Sequence, residues 1–365
     1  TAFNVELNHE EMLAAGSTVA IQAALLYTNT DGQRRICVHT LCKPVTSVLA
    51  DLFRNVDVDA TCNMIAKVAL DHALRTGLHM ARRYLHRAVV DAVRAYRAAT
   101  TSPYGGAAAG GPGLNTRAPL PSFTHMHAAA AAQSADITHM LPENLMLLPL
   151  YAMGLQKCPL YRGGEHIRAD ERSSLVYRML TMPAVDSNIF VYPRLYSLHD
   201  MDASAGMPEP GAAPLSALAT QPAVVLPTVV NLTAERLTSD GIFLLDNGVE
   251  MYLWIGRACP PAALNALFGI SSLDGLDLQS LHLPELANPF SERVNAIVRA
   301  LREPHFQAQK LRFVREGAGD VAEMRFHWHM VEDKQAFVGG NLTYAEYLPL
   351  VNRDSQMAQM GGGTS

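Results

Sequence analysis

The stretch GIFLLDNGVEMYLWIG, residues 241–256, decides the fold of the second half of the chain. Two apolar runs flank Asp246-Asn247-Gly248, whose residues tolerate the positive φ that a tight hairpin turn requires. The sequence therefore predicts two paired strands at this position. Trp254 stands in the second strand, on the same face as Tyr252, and we expect its ring to be buried.

The residues after this hairpin are predicted to form a helix and then a second hairpin. Apolar residues recur at helical spacing over residues 291–301. Residues 311–314 and 321–331 are predicted strands, joined at Gly317-Ala318-Gly319. His327 and His329 would share the wet face of the second strand, but without a third ligand they do not indicate a metal site.

The start of the chain has β character. Residues 19–27 and 35–41 are rich in strand-favouring residues, and Asp31-Gly32 lies between them as a hairpin turn signal. Two strands cannot bury a core alone, so we expect this hairpin to belong to a larger sheet.

Residues 57–100 change to a helical period, with apolar stripes at three- and four-residue spacing. The opposite face of the second helix carries five arginines: Arg82, Arg83, Arg87, Arg94 and Arg97. One interpretation is a solvated helix face. The other is a surface for anionic lipid or for an acidic partner segment.

Two low-complexity stretches interrupt the pattern. Residues 101–137 and 202–223 are rich in Gly, Ala and Pro, and we expect both to be disordered loops. His125 and His127 lie in the first of them, and an isolated pair in a mobile loop is weak evidence for a metal. Helical segments are predicted between the two loops, at residues 141–151 and 170–180.

The composition argues against several classes of function. The formal net charge is −5, so there is no basic excess of the kind that indicates a general nucleic-acid binder. The longest apolar run, residues 145–155, is shorter than the roughly 18 to 20 residues of a membrane span. The 5 cysteines lack paired metal-site spacing, and no nucleophile elbow, phosphate loop or HExxH motif occurs. We expect no catalytic residue, no metal and no cofactor.

Several strings resemble one protein family, and they occur in the same order as in that family. They are LPENLMLLPLY (141–151), DER (170–172), YPRLYSLHDM (192–201), ERLTSDGIFLLDNGVEMYLWIG (235–256), ANPFSERV (287–294) and HMVEDK (329–334). Together they resemble the cargo-adaptor subunit of the COPII inner coat, the Sec-twenty-four family. ALLYTNTDGQRRICVHTLCKPV (24–45) similarly resembles the last strands of that family's β-sandwich.

The resemblance implies an α+β, multidomain fold. Residues 1–45 would be the end of a β-sandwich, 46–183 an all-α helical domain and 184–335 a gelsolin-like domain. Residues 336–365 would be a C-terminal helix that packs on the helical domain, followed by a flexible tail. The family's zinc finger and trunk would precede Thr1, so the resemblance implies a C-terminal fragment.

The resemblance also implies a function. A member of this family selects cargo for transport from the endoplasmic reticulum to the Golgi by binding short sorting signals in cytoplasmic tails. Its expected partners are the GTPase-activating inner-coat subunit, a Sar-type small GTPase, the outer coat, cargo and SNARE tails, and an anionic membrane surface, with no nucleic acid. Its expected location is cytoplasmic, peripheral on endoplasmic-reticulum exit sites and COPII vesicles.

Five residues are candidates for peptide or membrane contact because of their charge or aromatic character near loops: Arg82, Arg83, Arg87, Phe337 and Tyr344. Two alternatives to the adaptor function remain open at this point. One is a gelsolin-type actin-binding protein, for which the hairpin at 241–256 is the only signature. The other is the GTPase-activating sister subunit of the same coat.

Overall fold

The computed structural model describes residues 2–8, 10–101, 140–164, 167–209, 223–303 and 309–360. The loop predicted at 101–137 lies outside these residues except for its first position, and most of the loop predicted at 202–223 lies outside them too. The structure is of the α+β class, as predicted. Within the described ranges, no helix combines the length and apolar character needed to cross a membrane.

An antiparallel hairpin opens the chain, as predicted. Strand β1 (Thr18–Thr28) pairs with β2 (Arg34–Pro44), and Gly32 in the turn has a φ of 78°. In the described part of the chain these two strands pair only with each other. Their apolar side chains are therefore exposed, and Leu25 and Ile36 keep 63% and 68% of their surface accessible.

One group of helices forms a layer, which begins with α1 (Leu49–Arg54), α2 (Val58–Thr76) and α3 (Leu78–Thr101). The Asp57 side chain caps α2 by accepting from the Ala60 N–H at 3.0 Å. Gly77, with a φ of 90°, separates α2 from α3, so residues 57–100 form two helices. This confirms the helical period that the sequence predicted there.

The remaining helices of this layer lie partly before and partly after the five-stranded sheet in the sequence. It consists of α4 (Leu148–Lys157), α5 (Ala169–Thr181), α6 (Ala184–Val191) and the last helix, α10 (Tyr344–Met360). Helix α10 packs along α3, where the Arg97 guanidinium donates to Asn352 Oδ1 and Ser355 Oγ, each at 2.6 Å. The C-terminal helix thus completes a layer that the N-terminal half begins.

The second half of the chain forms a five-stranded sheet in the order β4-β3-β5-β6-β7. Its strands are β3 (Arg194–Ser197), β4 (Val229–Val230), β5 (Ile242–Asp246), β6 (Glu250–Ile255) and β7 (Lys310–Arg315). The antiparallel β5–β6 pair confirms the hairpin predicted at 241–256, with Phe243 opposite Trp254. Strand β7 pairs parallel to β6.

The two faces of this sheet contribute to different cores. One face packs against α7 (Pro261–Phe268) and α8 (Pro289–Arg302), and α8 confirms the helix predicted at 291–301. The other face carries Tyr252 and Trp254, which join the core of the helical layer. Because that core is continuous, the sheet and the helical layer are held together by shared apolar packing.

The second hairpin predicted at 311–331 is wrong. Its first strand exists as β7, but residues Val321–His327 form helix α9. Asp320 caps this helix by accepting from the Glu323 N–H at 2.8 Å, and Glu323 in turn accepts from the N–H groups of Gly317 and Gly319 at 2.6 Å. These local hydrogen bonds favour a helix start over the strand that the apparent alternation suggested.

Lys157, the last residue of α4, is buried with only 1% of its surface exposed. Its ammonium donates to the carbonyls of Val331, Asp333 and Leu342, each at 2.7 Å. Burial lowers the pKa of Lys157 to about 8, although Asp333 and Glu332 oppose the shift. One cation therefore ties the segment between α9 and α10 to the helical layer.

The burial predicted for Trp254 is confirmed, since its ring is 2% exposed and lies between Phe243 and Phe326. We expect Trp254→Ala to lower the free energy of unfolding by about 3 to 5 kcal/mol, because it leaves a cavity in the shared core. Urea denaturation followed by far-UV circular dichroism measures this change. Trp328→Ala, at the other and only partly buried tryptophan, is the control and should cost clearly less. Equal losses for the two variants would contradict the prediction.

We expect Lys157→Met to destabilise the protein by about 3 kcal/mol or more, because three buried carbonyls lose their donor. Lys334→Met is the matched control, since Lys334 is 58% exposed and pairs only with the surface residue Glu346. That control should change the free energy of unfolding by less than about 1 kcal/mol. Similar denaturation midpoints for the two variants would argue against a structural role for Lys157.

Candidate functional site

A groove of about 440 Å³ lies where the helical layer meets α9 and the segment that follows it. We call it the Arg162 groove. Its lining residues are Arg162, Ala234, Met324, His327, Trp328, Met330, Asp333, Lys334, Gln335, Ala336 and Phe337. The groove therefore combines apolar and aromatic side chains with a few charges, as ligand sites in proteins do.

Arg162 is placed at the groove by the turn after α4. The backbone N–H groups of Tyr161 and Arg162 both donate to the Cys158 carbonyl at 3.0 Å. This turn directs the guanidinium onto Trp328, with its carbon 3.5 Å from the ring centroid. Phe337 is the second aromatic neighbour, with its ring centroid 4.8 Å from that carbon. Both contacts are of the cation–π kind.

The charge of Arg162 is incompletely compensated. The residue is 2% exposed, and its Nη1 and Nη2 atoms have no hydrogen-bond partner among the residues that the structure describes. Burial lowers the pKa of Arg162 to about 10; the nearby Arg172 and Arg325 act in the same direction, and Glu171 opposes them. The guanidinium therefore stays charged at neutral pH and gives the groove a positive floor.

A tight loop holds Phe337 over this cation. The Gln335 N–H donates to the Gly340 carbonyl at 2.7 Å, and the Gly340 N–H donates to the Phe337 carbonyl at 3.0 Å. Arg82 supports the same region from α3, because its Nη1 donates to the Tyr161 carbonyl at 2.8 Å. Its stem also lies beside Gly339, where an added Cβ would come within 3.0 Å of Arg82 Cδ.

The five candidate contact residues thus separate into three groups. Phe337 lines the groove, and Arg82 positions its walls rather than presenting a free charge. Arg83 and Arg87 are exposed on α3, and Arg87 pairs with Asp91 at 3.3 Å. The prediction of Tyr344 as a surface contact is wrong, because its side chain is 6% exposed and packs into the core of the helical layer.

Arg162 and Trp328 are the residues that the sequence did not reveal. The alternating pattern predicts a strand at Trp328, whereas the Asp320-x-x-Glu323 pattern of a helix start is the signal that places it correctly. Trp328 then follows the last residue of α9. Nothing local in the sequence marks Arg162, because its partner rings lie far away along the chain.

The two histidines near the groove, His327 and His329, differ from their predicted arrangement. His327 and His329 do not share a strand face, since His327 ends α9 and His329 Nε2 lies 3.4 Å from Asn247 Nδ2. Over the described residues, no group of three potential metal ligands occurs. His125 and His127 lie outside those residues. A positive floor between aromatic and thioether side chains suits a short segment with an apolar side chain beside a carbonyl or carboxylate.

Comparison with protein families identifies three parts of the chain. Residues 57–189 match the Sec23/Sec24 helical domain, and residues 1–46 match the Sec23/Sec24 beta-sandwich domain. Residues 223–298 match the gelsolin repeat. The three matches follow one another in the order expected from the sequence strings.

Individual relatives agree with these matches. The chain is similar to human protein transport protein Sec24D, with 29% identity over 97% of this chain and 29% of the relative. It is 31% identical to human Sec24B, over 91% of this chain and 23% of that protein, and 32% identical to SEC24 of Coccidioides immitis, over 83% and 28%. The chain thus spans between a quarter and a third of the length of most of these curated relatives. The crystal structure of the human COPII-coat protein Sec24c superposes with a TM-score of 0.72 at 26% identity, over 96% of this chain and 40% of that one.

Proposed function

The chain belongs to the Sec24 family, and from this premise we propose that it is part of a COPII coat component that selects cargo for transport from the endoplasmic reticulum to the Golgi. The observation that carries the proposal is the ordered series of β-sandwich, helical and gelsolin-like parts along one chain. We infer that the protein acts by binding and not by catalysis. An actin-binding role has weaker support, because a gelsolin repeat accounts for residues 223–298 alone.

The proposed partners follow from the coat. They are the GTPase-activating inner-coat subunit, a Sar-type GTPase and the outer coat, together with cargo and SNARE tails on an anionic membrane. We propose that they meet the protein at endoplasmic-reticulum exit sites and on COPII vesicles. Because many copies assemble on one membrane, a weak contact with each tail suffices for selection.

We propose the Arg162 groove as one contact for such tails. A bulky apolar side chain would lie against Phe337 and Met324, and Met324 is already 44% exposed. An acidic or carbonyl group beside it would be attracted by the buried Arg162 cation, whose field is weakly screened inside the protein. Thioether and aromatic side chains adapt to ligands of different shape, which suits a surface that meets several tails.

We expect Phe337→Ala, in the full-length protein within the complete coat, to reduce packaging of a subset of cargo into vesicles. The loss of one aromatic contact predicts an affinity decrease of about tenfold for those tails. Vesicle budding from membranes, with a panel of cargo proteins quantified by blotting, measures the effect. Phe3→Ala is the matched control, since Phe3 is 85% exposed and remote in sequence from the groove. Unchanged packaging of every cargo with Phe337→Ala would argue against the groove as a cargo site.

The exposed arginines of α3 test the proposed membrane contact. We expect the double variant Arg83→Glu and Arg87→Glu to leave liposome binding of the chain alone unchanged, because α3 is not oriented toward lipid by neighbours. In the assembled coat, recruitment to anionic liposomes should fall at low salt, since each arginine near lipid contributes roughly 1 kcal/mol. Liposome flotation at two salt concentrations measures recruitment. The charge-matched control reverses Arg54 and Arg75, which are exposed on α1 and α2. Equal recruitment of the test and control variants in the complete coat would show that these arginines face solvent and do not contact the membrane.

A further inference from the structure

Arg162 carries hydrogen-bond donors that no oxygen accepts. Its Nη1 and Nη2 atoms are buried and have no hydrogen-bond partner within the ranges that the structure describes. The rings of Trp328 and Phe337 attract the charge, but a ring face does not replace an oxygen acceptor in the plane of the guanidinium. Because a buried charge is costly unless it is paired and hydrogen-bonded, an anion beside these two atoms would stabilise the groove.

Two further arginines add positive charge next to Arg162. Arg172 Nη1 donates to three backbone carbonyls within residues 159–162, at distances of 2.8 to 3.4 Å. Arg82 Nη1 donates to the Tyr161 carbonyl at 2.8 Å. Carbonyl oxygens are neutral, so these hydrogen bonds hold the two guanidinium groups in place without neutralising them. Burial and the nearby charge of Arg172 accordingly both lower the pKa of Arg82.

The carboxylates of this region do not neutralise these three arginines. Glu171 pairs with Arg325 at 3.2 Å, and Glu346 pairs with Lys334 at 2.6 Å, so neither pair adds net charge. Asp333 also lines the groove, and its two oxygens accept from one hydroxyl and one backbone N–H, each at 2.7 Å. Three arginines without a carboxylate partner therefore outweigh one carboxylate without a cationic partner, and the groove keeps an excess of positive charge.

The Phe337 side chain is the movable cover of this cation. It is partly exposed, whereas its backbone is held by the hydrogen bonds of its loop and by the Gly163 N–H, which donates to the Val338 carbonyl at 3.2 Å. A rotation about the side-chain torsions takes the ring toward solvent and leaves these backbone bonds intact. Turning of this ring therefore opens a path from the groove to Arg162 without a change of fold.

We propose that Arg162 binds a phosphate monoester in this groove, and that the Phe337 ring turns aside to admit it. The Nη1 and Nη2 edge of a guanidinium binds phosphate through two parallel hydrogen bonds. A phosphate monoester carries nearly two negative charges at neutral pH, so it matches the excess positive charge of the three arginines better than a carboxylate does. Phosphate binding uses the cation of the groove and does not depend on the cargo role.

The first test is a calorimetric titration of the full chain with glycerol phosphate, in a buffer without phosphate. We expect saturable binding. Acetate at equal ionic strength should bind about tenfold more weakly or less, because it carries a single negative charge. Absence of saturable binding overturns the proposal. Equal affinity for acetate also overturns it, since the site would then belong to a carboxylate.

The second test removes the cation and keeps its packing. Arg162→Met should lose glycerol phosphate binding, and its denaturation midpoint in phosphate-free buffer should be at or above that of the wild type, because an uncompensated buried charge has been removed. Arg75→Met is the matched control, since Arg75 is exposed on α2 and pairs with Asp71, and it should bind as the wild type does. Equal binding by the two variants overturns the proposal.

Two further variants test the geometry. Arg162→Lys keeps the charge but not the two-pronged edge, so it should weaken binding about tenfold. Phe337→Ala should bind glycerol phosphate at least as tightly as the wild type, because the cover has been removed. Loss of cargo packaging with retained phosphate binding, or the reverse, separates this site from the cargo role. Loss of phosphate binding by Phe337→Ala overturns the assignment of that ring as a cover.

The third test identifies the source of the phosphate. Phosphatidic acid presents the same monoester on a lipid, so flotation of the chain with phosphatidylcholine vesicles is measured with and without this lipid. Flotation that requires phosphatidic acid and is lost in Arg162→Met assigns the site to a lipid headgroup. Binding of glycerol phosphate without flotation assigns it to a soluble ester. Flotation that persists in Arg162→Met, without binding of glycerol phosphate, overturns the proposal and points to the exposed arginines of α3.

Discussion

A single buried ammonium sets the arrangement of the C-terminal part of this protein. Lys157 must place three donors in a site closed to solvent, and three carbonyls between residues 331 and 342 accept them. Because a buried charge is costly unless it is hydrogen-bonded, these three contacts favour this path of the segment. The path fixes where Phe337 lies over Arg162 and where α10 begins. The hydrogen bonds of the Lys157 ammonium thus also position the segment that forms the Arg162 groove.

Apolar packing also joins the sheet to the helical layer. The side chains of Trp254 and Tyr252 project from one face of the sheet into the core that α3 and α4 also build. A sheet that shares its core with a helical layer cannot rotate freely against it, because interiors of proteins are close-packed. Binding surfaces at that junction are therefore preorganised, which reduces the ordering cost of ligand binding.

The sequence predicted those elements whose signals are local. The turn at Asp246-Asn247-Gly248 and the apolar runs beside it fixed the β5–β6 pair, and the burial of Trp254 followed from strand alternation. Helix α9 was not predicted because the apolar residues Met324, Phe326, Trp328 and Met330 happen to stand at alternate positions, as in a strand. The capping contact that favours the helix depends on a single residue, Asp320. The role of Arg162 could not be predicted from the sequence, because its cation–π partners Trp328 and Phe337 lie more than 160 positions away along the chain. The burial of Tyr344 was missed for the same reason, because the core that it joins is built by residues far apart in the sequence.

The contact between α3 and α10 has a consequence for biosynthesis. Arg97 donates to Ser355, 258 positions later in the sequence, so the helical layer is incomplete until α10 has been made. At ordinary translation speeds the ribosome needs roughly 13 to 50 s to add that many residues. During this interval the apolar flank of α3 has no native cover. We therefore expect nascent chains to depend on chaperones that shield this flank, and to acquire protease resistance only after α10 has left the ribosome.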